Sequence, residues 1–387
     1  MQRPLKSRAD AMKNSRYISI AESSDHHAGH SKTPTEKVIS ALQRAYPETE
    51  ETSELDIIFF AGDFFDHLLD LSDEDVYEIR FYIVEFLRMC KRLDIIVRVL
   101  EGTPSHDWRQ PKLFVHLNHL ANINANVKYI DQLSIEYIDT LRTNVLYIPD
   151  EWRPTCEETW KCVTDKLAEH GLEKVDFVIM HGIFPHQMPE NIHDRLNMHN
   201  SDYFLAICNY FIFVGHIHLF SQYERILSSG SIERLGHNEE GPKGHLRVKV
   251  DTLHKQHEIR FIENKDAMIY KTLDLTELSH QEAADKMEIT ALSLVDGSHI
   301  RIRCKKGDAA LSLISQCAKR FPLLHWTTVE KKSNMNTQPI TIERSTVKTG
   351  IQLTPDNLKP LLLQRIRLKN PLLADRCETL LNEVLNE

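Results

Sequence analysis

The chain has 387 residues, a net charge of −9, 41% hydrophobic residues and 27% charged residues. That length exceeds the roughly 250–300 residues one hydrophobic core usually serves, which predicts two or three domains. The composition excludes global disorder, 13 Gly and 15 Pro exclude a collagen-like or low-complexity chain, no run approaches a membrane helix, and the acidic total argues against holding nucleic acid by bulk electrostatics.

The first residues, MQRPLKSRADAMKNSR, are a basic tail with no apolar core and do not read as a secretory signal. Seven scattered cysteines form no CxxC pair, which disfavours a zinc ribbon or disulfide framework and suits a reducing, cytoplasmic compartment.

The first predicted strand is 17–21 (YISIA), which leads into Asp25, His26 and His27. The second, 56–61 (DIIFFA), leads into Gly62, Asp63 and Asp66. A helix is predicted over 73–93, with an acidic first turn, a basic end and apolar residues every three to four positions. The third strand, 95–100 (IIVRVL), leads into Gly102, Thr103, Pro104, Ser105, His106 and Asp107. The fourth, 175–180 (VDFVIM), ends at His181, and the fifth, 210–214 (YFIFV), at Gly215, His216 and His218. Each run is short, β-branched or aromatic, and bounded by glycine or a polar turn. Their alternation with helical stretches predicts an α/β layered core, in which loops at one end of a sheet converge.

A lone His after a strand is ordinarily structural, but five strand ends with His or Asp point to one shared site. The carboxylates of Asp25 and Asp63 and the imidazoles of His27, His181, His216 and His218 form a mixed N/O set without thiolate. Such a set suits first-row divalent metals better than calcium or magnesium alone. There are more ligands than one tetrahedral site needs, which predicts two metals sharing a carboxylate, the usual arrangement for phosphoester hydrolysis. His26, His30 and His67 are read as incidental.

Further along, alternation over 259–273 and 299–304 predicts strands, and 309–321 a helix. A polar linker follows at 331–336 (KKSNMN). Two amphipathic helices are predicted after Thr354, with a break at Asn370 and Pro371. There is no GxxxxGK[ST] loop, so any ATP that drives the system binds another chain.

In this order the motifs resemble those of the calcineurin-like metallophosphoesterase superfamily, D-x-H, G-D-x-x-D, G-N-H-D/E, H and G-H-x-H, across about residues 17–218. The stretch Ser229 to Gly244, with Gly230-Ser231-Ile232-Glu233-Arg234, Glu239 and Lys243-Gly244, is similar to the "GSIER…E…KG" segment of SbcD-type DNA repair nucleases. The resemblance implies an α/β fold: a metallophosphoesterase β-sandwich flanked by helices (1–255), a small α/β capping domain (256–335) and a C-terminal helical hairpin behind a linker (336–387). It implies a nuclease subunit, cellular or phage-encoded, of an SbcCD-like repair complex, with 3′–5′ exonuclease action on duplex DNA and endonuclease action on single strands. Asp25, His27, Asp63 and His218 would hold the first metal. Asp63 would bridge to a second metal held by His181 and His216. His106 would be the catalytic histidine, oriented by Asp107. The implied cofactors are two divalent metals, manganese first, with Fe2+, Zn2+ or Mg2+ as alternatives. The implied partners are DNA, an SMC-like ATPase of the SbcC type bound through the C-terminal helices, and a second copy of the chain, in the cytoplasm of a bacterium or a phage-infected host.

One departure stands out. The family's Gly-Asn-His-Asp reads Gly102-Thr103-Pro104-Ser105-His106-Asp107 here, so the metal-binding asparagine is absent and the Thr103 hydroxyl, the Ser105 hydroxyl or a water would take its place. Two other readings remain open at this point: a phosphomonoesterase or protein phosphatase on the same scaffold, and a DNA-presenting scaffold subunit with a weakened metal site.

Overall fold

A strand covered on both faces needs apolar side chains at successive positions, and such runs dominate the centre of this fold. The computed structural model describes residues 17–70, 73–150, 155–237, 239–304 and 310–330. The order is β1 (Tyr17–Ser23), α1 (Thr35–Ala45), α2 (Glu50–Ser53), β2 (Ile57–Phe60), α3 (Glu74–Leu93), β3 (Ile96–Leu100), α4 (Pro104–Asp107), α5 (Leu113–Leu120) and β4 (Val127–Ile130). Then come β5 (Ser134–Ile138), β6 (Thr143–Ile148), α6 (Cys156–Glu169), β7 (Val175–His181), α7 (Ser201–Ile207), β8 (Cys208–Gly215), β9 (Ser221–Tyr223) and β10 (Ile226–Ser228). The last are β11 (Gly244–Asp251), β12 (Gln256–Glu263), β13 (Tyr270–Asp274), α8 (His280–Leu292), β14 (His299–Cys304), α9 (Ala310–Arg320) and β15 (His325–Glu330).

Two six-stranded mixed sheets, ordered β12-β11-β1-β2-β3-β4 and β5-β6-β7-β8-β10-β9, pack face to face. Side chains alternate across each strand. Ile57 and Phe59 of β2 and Phe177 and Ile179 of β7 fill the space between the sheets with Tyr147 and Phe213. The intervening Ile58 and Phe60 face α1, α3 and α5, while Val178 and Met180 face α6 and α7. The result is a four-layered helix–sheet–sheet–helix body. The three parallel strands β13-β14-β15, linked through α8 and α9, form a small separate sheet with its own core of Leu273, Met287, Ile300, Ile302 and Leu313.

The five expected strands are β1, β2, β3, β7 and β8, and the helix expected over 73–93 is α3. One boundary moves. Residues 256–263, expected in the small domain, form β12, which pairs antiparallel with β11 at the edge of the first large sheet. The small sheet starts at Tyr270. The linker 331–336, the C-terminal helical hairpin and the basic N-terminal tail lie outside the described residues. No helix among the described residues is long and apolar enough to cross a membrane.

A polar clamp crosses the apolar inter-sheet layer at one edge. Arg98 of β3 donates Nε to Glu136 Oε2 at 2.7 Å and an Nη to Oε1 at 2.9 Å, so the two sheets are joined by a bidentate pair. Lys128 and the Tyr147 hydroxyl complete the carboxylate's partners. Losing one partner of a buried pair outright costs about 3–5 kcal/mol, and here Lys128 and Tyr147 offset part of that loss, which sets the low end. Arg98→Ala is therefore expected to lower unfolding stability by about 3 kcal/mol in denaturant titration, and a change under about 1 kcal/mol would show the clamp to be solvated.

Candidate metal centre

The C-terminal ends of the parallel strands β1, β2 and β3 meet those of β7 and β8 across the sandwich. Asp25 and His27 follow β1, Asp63 and Asp66 follow β2, His181 is the last residue of β7, and His216 and His218 follow β8. The loops are stitched together by main-chain bonds from Asp25 N to Gly62 O (3.1 Å), His27 N to Asp63 O (3.1 Å) and Gly182 N to Gly215 O (3.1 Å). Asp25, His27, Asp63 and His181 are buried.

The turns are tight enough to force unusual backbone. Asp25, His27, Asp63 and His216 all have positive φ, at 52°, 50°, 51° and 106°. Such conformations cost L-residues energy and persist where the surroundings over-determine them, often at functional sites. Gly102 is required for a different reason, since a Cβ there would run into the main-chain nitrogen and carboxylate of Asp63.

The side chains form three groups whose potential ligand atoms lie within 4.8 Å of one another: Asp25, His27 and His218; Asp63, His181 and His216; and His27, Asp66 and His106. Asp63 lies between the first two, with Oδ2 at 3.3 Å from His181 Nε2 and 3.7 Å from His27 Nε2. His27 Nε2 and His218 Nε2 face each other at 3.1 Å. The outer nitrogens of His181 and His218 are hydrogen-bonded elsewhere, and that of His27 faces a carboxylate without a well-aligned bond. His181 Nδ1 bonds the Ala61 carbonyl at 2.8 Å, His218 Nδ1 bonds Glu239 Oε1 at 3.0 Å, and His27 Nδ1 lies 3.3 Å from Asp66 Oδ1. Outer partners of this kind leave the inner nitrogens free to ligate, as metal-binding histidines require. The donor set fits a divalent metal ion.

Charge is distributed to match. Burial pushes Asp63 up, but the charges of His181, His27 and His106 outweigh it and hold the carboxyl below the usual carboxylate range. Burial opposes the charged form of His181, yet Asp63, Asp25 and the Ala61 carbonyl raise its pKa to about 10. Burial, with the charge of His181, lowers His216 to about 4. Burial raises Glu239, but His218 and Lys243 bring it down to about 2. Asp63 and His181 thus favour each other's charged forms.

The two candidate hydroxyls separate. Thr103 donates its N–H to Asp63 Oδ1 at 2.5 Å and its hydroxyl to Oδ2 at 3.2 Å, with Oγ1 3.3 Å from His181 Nε2 and 3.4 Å from His216 Nδ1. Ser105 is exposed, and its carbonyl accepts from the Trp108 indole. His106 lies beside His27, with ring centroids 4.8 Å apart. Its expected link to Asp107 is replaced by another. His106 Nδ1 bonds the Asp66 carbonyl at 2.7 Å, while the Asp107 carboxylate accepts from the main-chain N–H groups of Gly102, Asp63 and Phe65 at 2.7, 3.1 and 2.9 Å. Asp107 therefore shapes the loops that carry Asp63 and Thr103, because α4 is one turn long and turns its carboxylate inward. Burial and the nearby carboxylates of Asp63 and Glu101 push its pKa well up.

Asp66, of the G-D-x-x-D motif, and Glu239, of the later segment, reach the site as partners of His27 and His218, and Asp150 joins them without a motif to mark it. Asp150 follows β6 closely and lies near Thr103; burial and Asp63 raise its pKa. Its signal is the same one, an acid just past an apolar strand. His26 is a core residue, bonded to Ser23 Oγ at 2.9 Å and packed on Phe60 and Phe64.

No protein-family model matches the chain, and no curated protein matches its sequence. Among solved structures, one aligns with 63% of this chain and 99% of its own length at 12% identity and a TM-score of 0.36. Another, TT1561 of Thermus thermophilus, aligns with 63% of this chain and 98% of its own at 10% identity and a TM-score of 0.37. Likeness at this level identifies no family.

A ligand that binds only the folded state stabilises it by about 2.7 kcal/mol at a hundredfold excess over Kd. We expect Mn2+ to stabilise the chain by about that amount under those conditions. Asp63→Asn should abolish the effect, because the carboxylate lies between both ligand groups. An undiminished Mn2+ effect in Asp63→Asn, read by denaturant titration, would remove Asp63 from the centre.

Proposed function

We propose that the chain is a metal-dependent phosphodiester hydrolase of the SbcD type acting on DNA, with a calcineurin-like sandwich and a small capping domain. The observation that carries the reading is Asp63, within 3.3 Å of His181 Nε2 and 3.7 Å of His27 Nε2, between two buried ligand groups at the joined ends of two sheets. Asp25, His27, Asp63 and His218 would hold one metal, and Asp63, His181, His216 and the Thr103 hydroxyl a second. Two such metals supply a nucleophile at neutral pH and neutralise charge on the phosphoryl oxygens.

The chain's own groups do the rest. His106 commits Nδ1 to the Asp66 carbonyl, which leaves Nε2 to meet the substrate. Protonated there, it stabilises the phosphoryl charge or protonates the leaving oxygen. The strained loops at Asp25, Asp63 and His216 hold their side chains in one arrangement before substrate arrives. The motif from Ser231 to Lys243 supports the nuclease reading over a monoesterase. Arg234 donates to the carbonyls of Glu239, Gly241, Ala267 and Met268, and Glu233 accepts from Met268 N and Asn264 Nδ2, so this segment fastens the small domain beside the centre.

We propose further that a second copy of the chain packs on α3. Tyr77 and Phe81, one turn apart, are both exposed, and the adjoining groove toward α5 is lined by Leu68, Val76 and Leu113. An exposed aromatic pair on the helix that also lines an apolar groove is a face that a symmetric helix pair would cover.

With Mn2+, bis-nitrophenyl phosphate should be cleaved faster than nitrophenyl phosphate; the reverse order sinks the nuclease reading in favour of a monoesterase. His106→Ala should slow diester cleavage by about 10²–10⁴-fold with Mn2+ binding unchanged. Loss of metal from that variant would reassign His106 as a ligand. Replacing Tyr77 and Phe81 together by Glu should convert a dimer to a monomer in light scattering, and a persistent dimer would put the contact elsewhere.

A further inference from the structure

We propose that Glu239, clamped by the buried ammonium of Lys243, is the positioning group that makes His218 a metal ligand; the proposal rests on the metal-centre reading above. Neither residue contributes an atom to the ligand groups. Both come from the segment between β10 and β11, away from the strand ends that carry the ligands.

The geometry is a closed chain of bonds. Glu239 Oε1 faces His218 Nδ1 at 3.0 Å. Its other oxygen, Oε2, accepts from Lys243 Nζ at 2.6 Å and from Leu235 N at 3.2 Å. Lys243 Nζ also donates to the carbonyl of His218 itself at 2.7 Å and to Ser231 Oγ at 2.8 Å. An ammonium has three protons, and here three acceptors meet it. The Lys243 side chain is 0% exposed, and a charge so buried is tolerated only when fully paired.

The consequence falls on His218. An ionised carboxylate can only accept, so the proton of the neutral imidazole must sit on Nδ1. The lone pair is then on Nε2, the atom 3.1 Å from His27 Nε2. Lys243 keeps Glu239 ionised and aimed, and it holds the main chain of His218 at the same time. His181 needs no such device, since its Nδ1 meets the fixed carbonyl of Ala61. His218 lies on a loop past the end of β8, and there a side-chain pair takes the role that the carbonyl has at His181.

The test is calorimetric titration of the full chain with Mn2+, together with the unfolding midpoint of the metal-free protein. Glu239→Gln is nearly isosteric. Its amide must present N–H either to His218 Nδ1, which forces the non-ligating tautomer, or to the Lys243 ammonium, which sets donor against donor. We expect it to weaken one of two Mn2+ sites by about 10–100-fold and spare the other, with the unfolding midpoint little changed. Lys243→Met should weaken the same site. Should Glu239→Gln not fold, Glu239→Asp, which keeps the charge and shortens the reach, carries the same expectation. Two sites of wild-type affinity in a folded Glu239 variant would overturn the proposal, as would equal losses at both sites. A wild-type chain that takes up no Mn2+ would overturn the metal-centre reading and this proposal with it.

Discussion

Two imidazole nitrogens pointed at each other across 3.1 Å set the terms for much of this structure. The outer nitrogens of His27 and His218 sit against carboxylates, at 3.3 Å from Asp66 and 3.0 Å from Glu239. With neutral rings and protons on those outer atoms, the inner atoms present lone pair to lone pair, His27 buried and His218 half-buried. A proton on either inner nitrogen turns the contact into a hydrogen bond, and a cation between them takes up both lone pairs at once. Asp25 and Asp63 are already at hand to balance its charge. The arrangement is one that a divalent cation fits.

Holding these groups together requires a scaffold that does not yield. Four residues of the centre have positive φ, each at about 1–3 kcal/mol of local strain. The strain is carried by strands whose two faces are both packed. Phe59 and Phe213 meet across the sheets at 6.1 Å, and Phe60 on the opposite face meets Phe86 and Phe114 at 5.5 and 5.6 Å. Asp107 adds a polar brace, with one carboxylate taking three main-chain N–H groups from the two loops beside Asp63. Relaxing the strain would mean moving strand ends that the core has fixed.

The central strands were legible in the sequence because of that double burial. A strand such as β2, buried at every position, leaves an unbroken apolar run, and the polar residue that follows stands out. Strands β4, β5 and β9 lie nearer the sheet edges with half-exposed side chains, and they leave no such run. The alternation over 259–273 predicts strands but not their partners, and β12 pairs with β11 of the first large sheet. At the centre, the ligand types and their strand-end positions could be read directly. Partners could not. That Thr103 turns inward and Ser105 outward, or that His106 leans on Asp66 rather than Asp107, depends on how a single helical turn winds. Asp150 carried the strand-end signal but followed a strand that had not been recognised.

The segment between β10 and β11 joins two properties that look independent in the sequence. Ser231 and Glu239 take part in the bond chain that ends at His218. Glu233 and Arg234, between them in sequence, hold Asn264, Ala267 and Met268, where the chain passes from the last strand of the sandwich to the small sheet. From the other side, the Tyr270 hydroxyl reaches Thr33 Oγ1 at 3.2 Å and the Lys32 carbonyl at 3.3 Å, on the loop that begins just past His27. Tyr270, His299 and His325 are register partners on neighbouring strands and stack with centroids 4.4 Å apart. The small sheet is thereby anchored at two points, each within a few bonds of a residue in the first ligand group. Both anchors lie on the side of His27 and His218, whereas His181 Nδ1 rests on the Ala61 carbonyl at the end of β2 in the first large sheet.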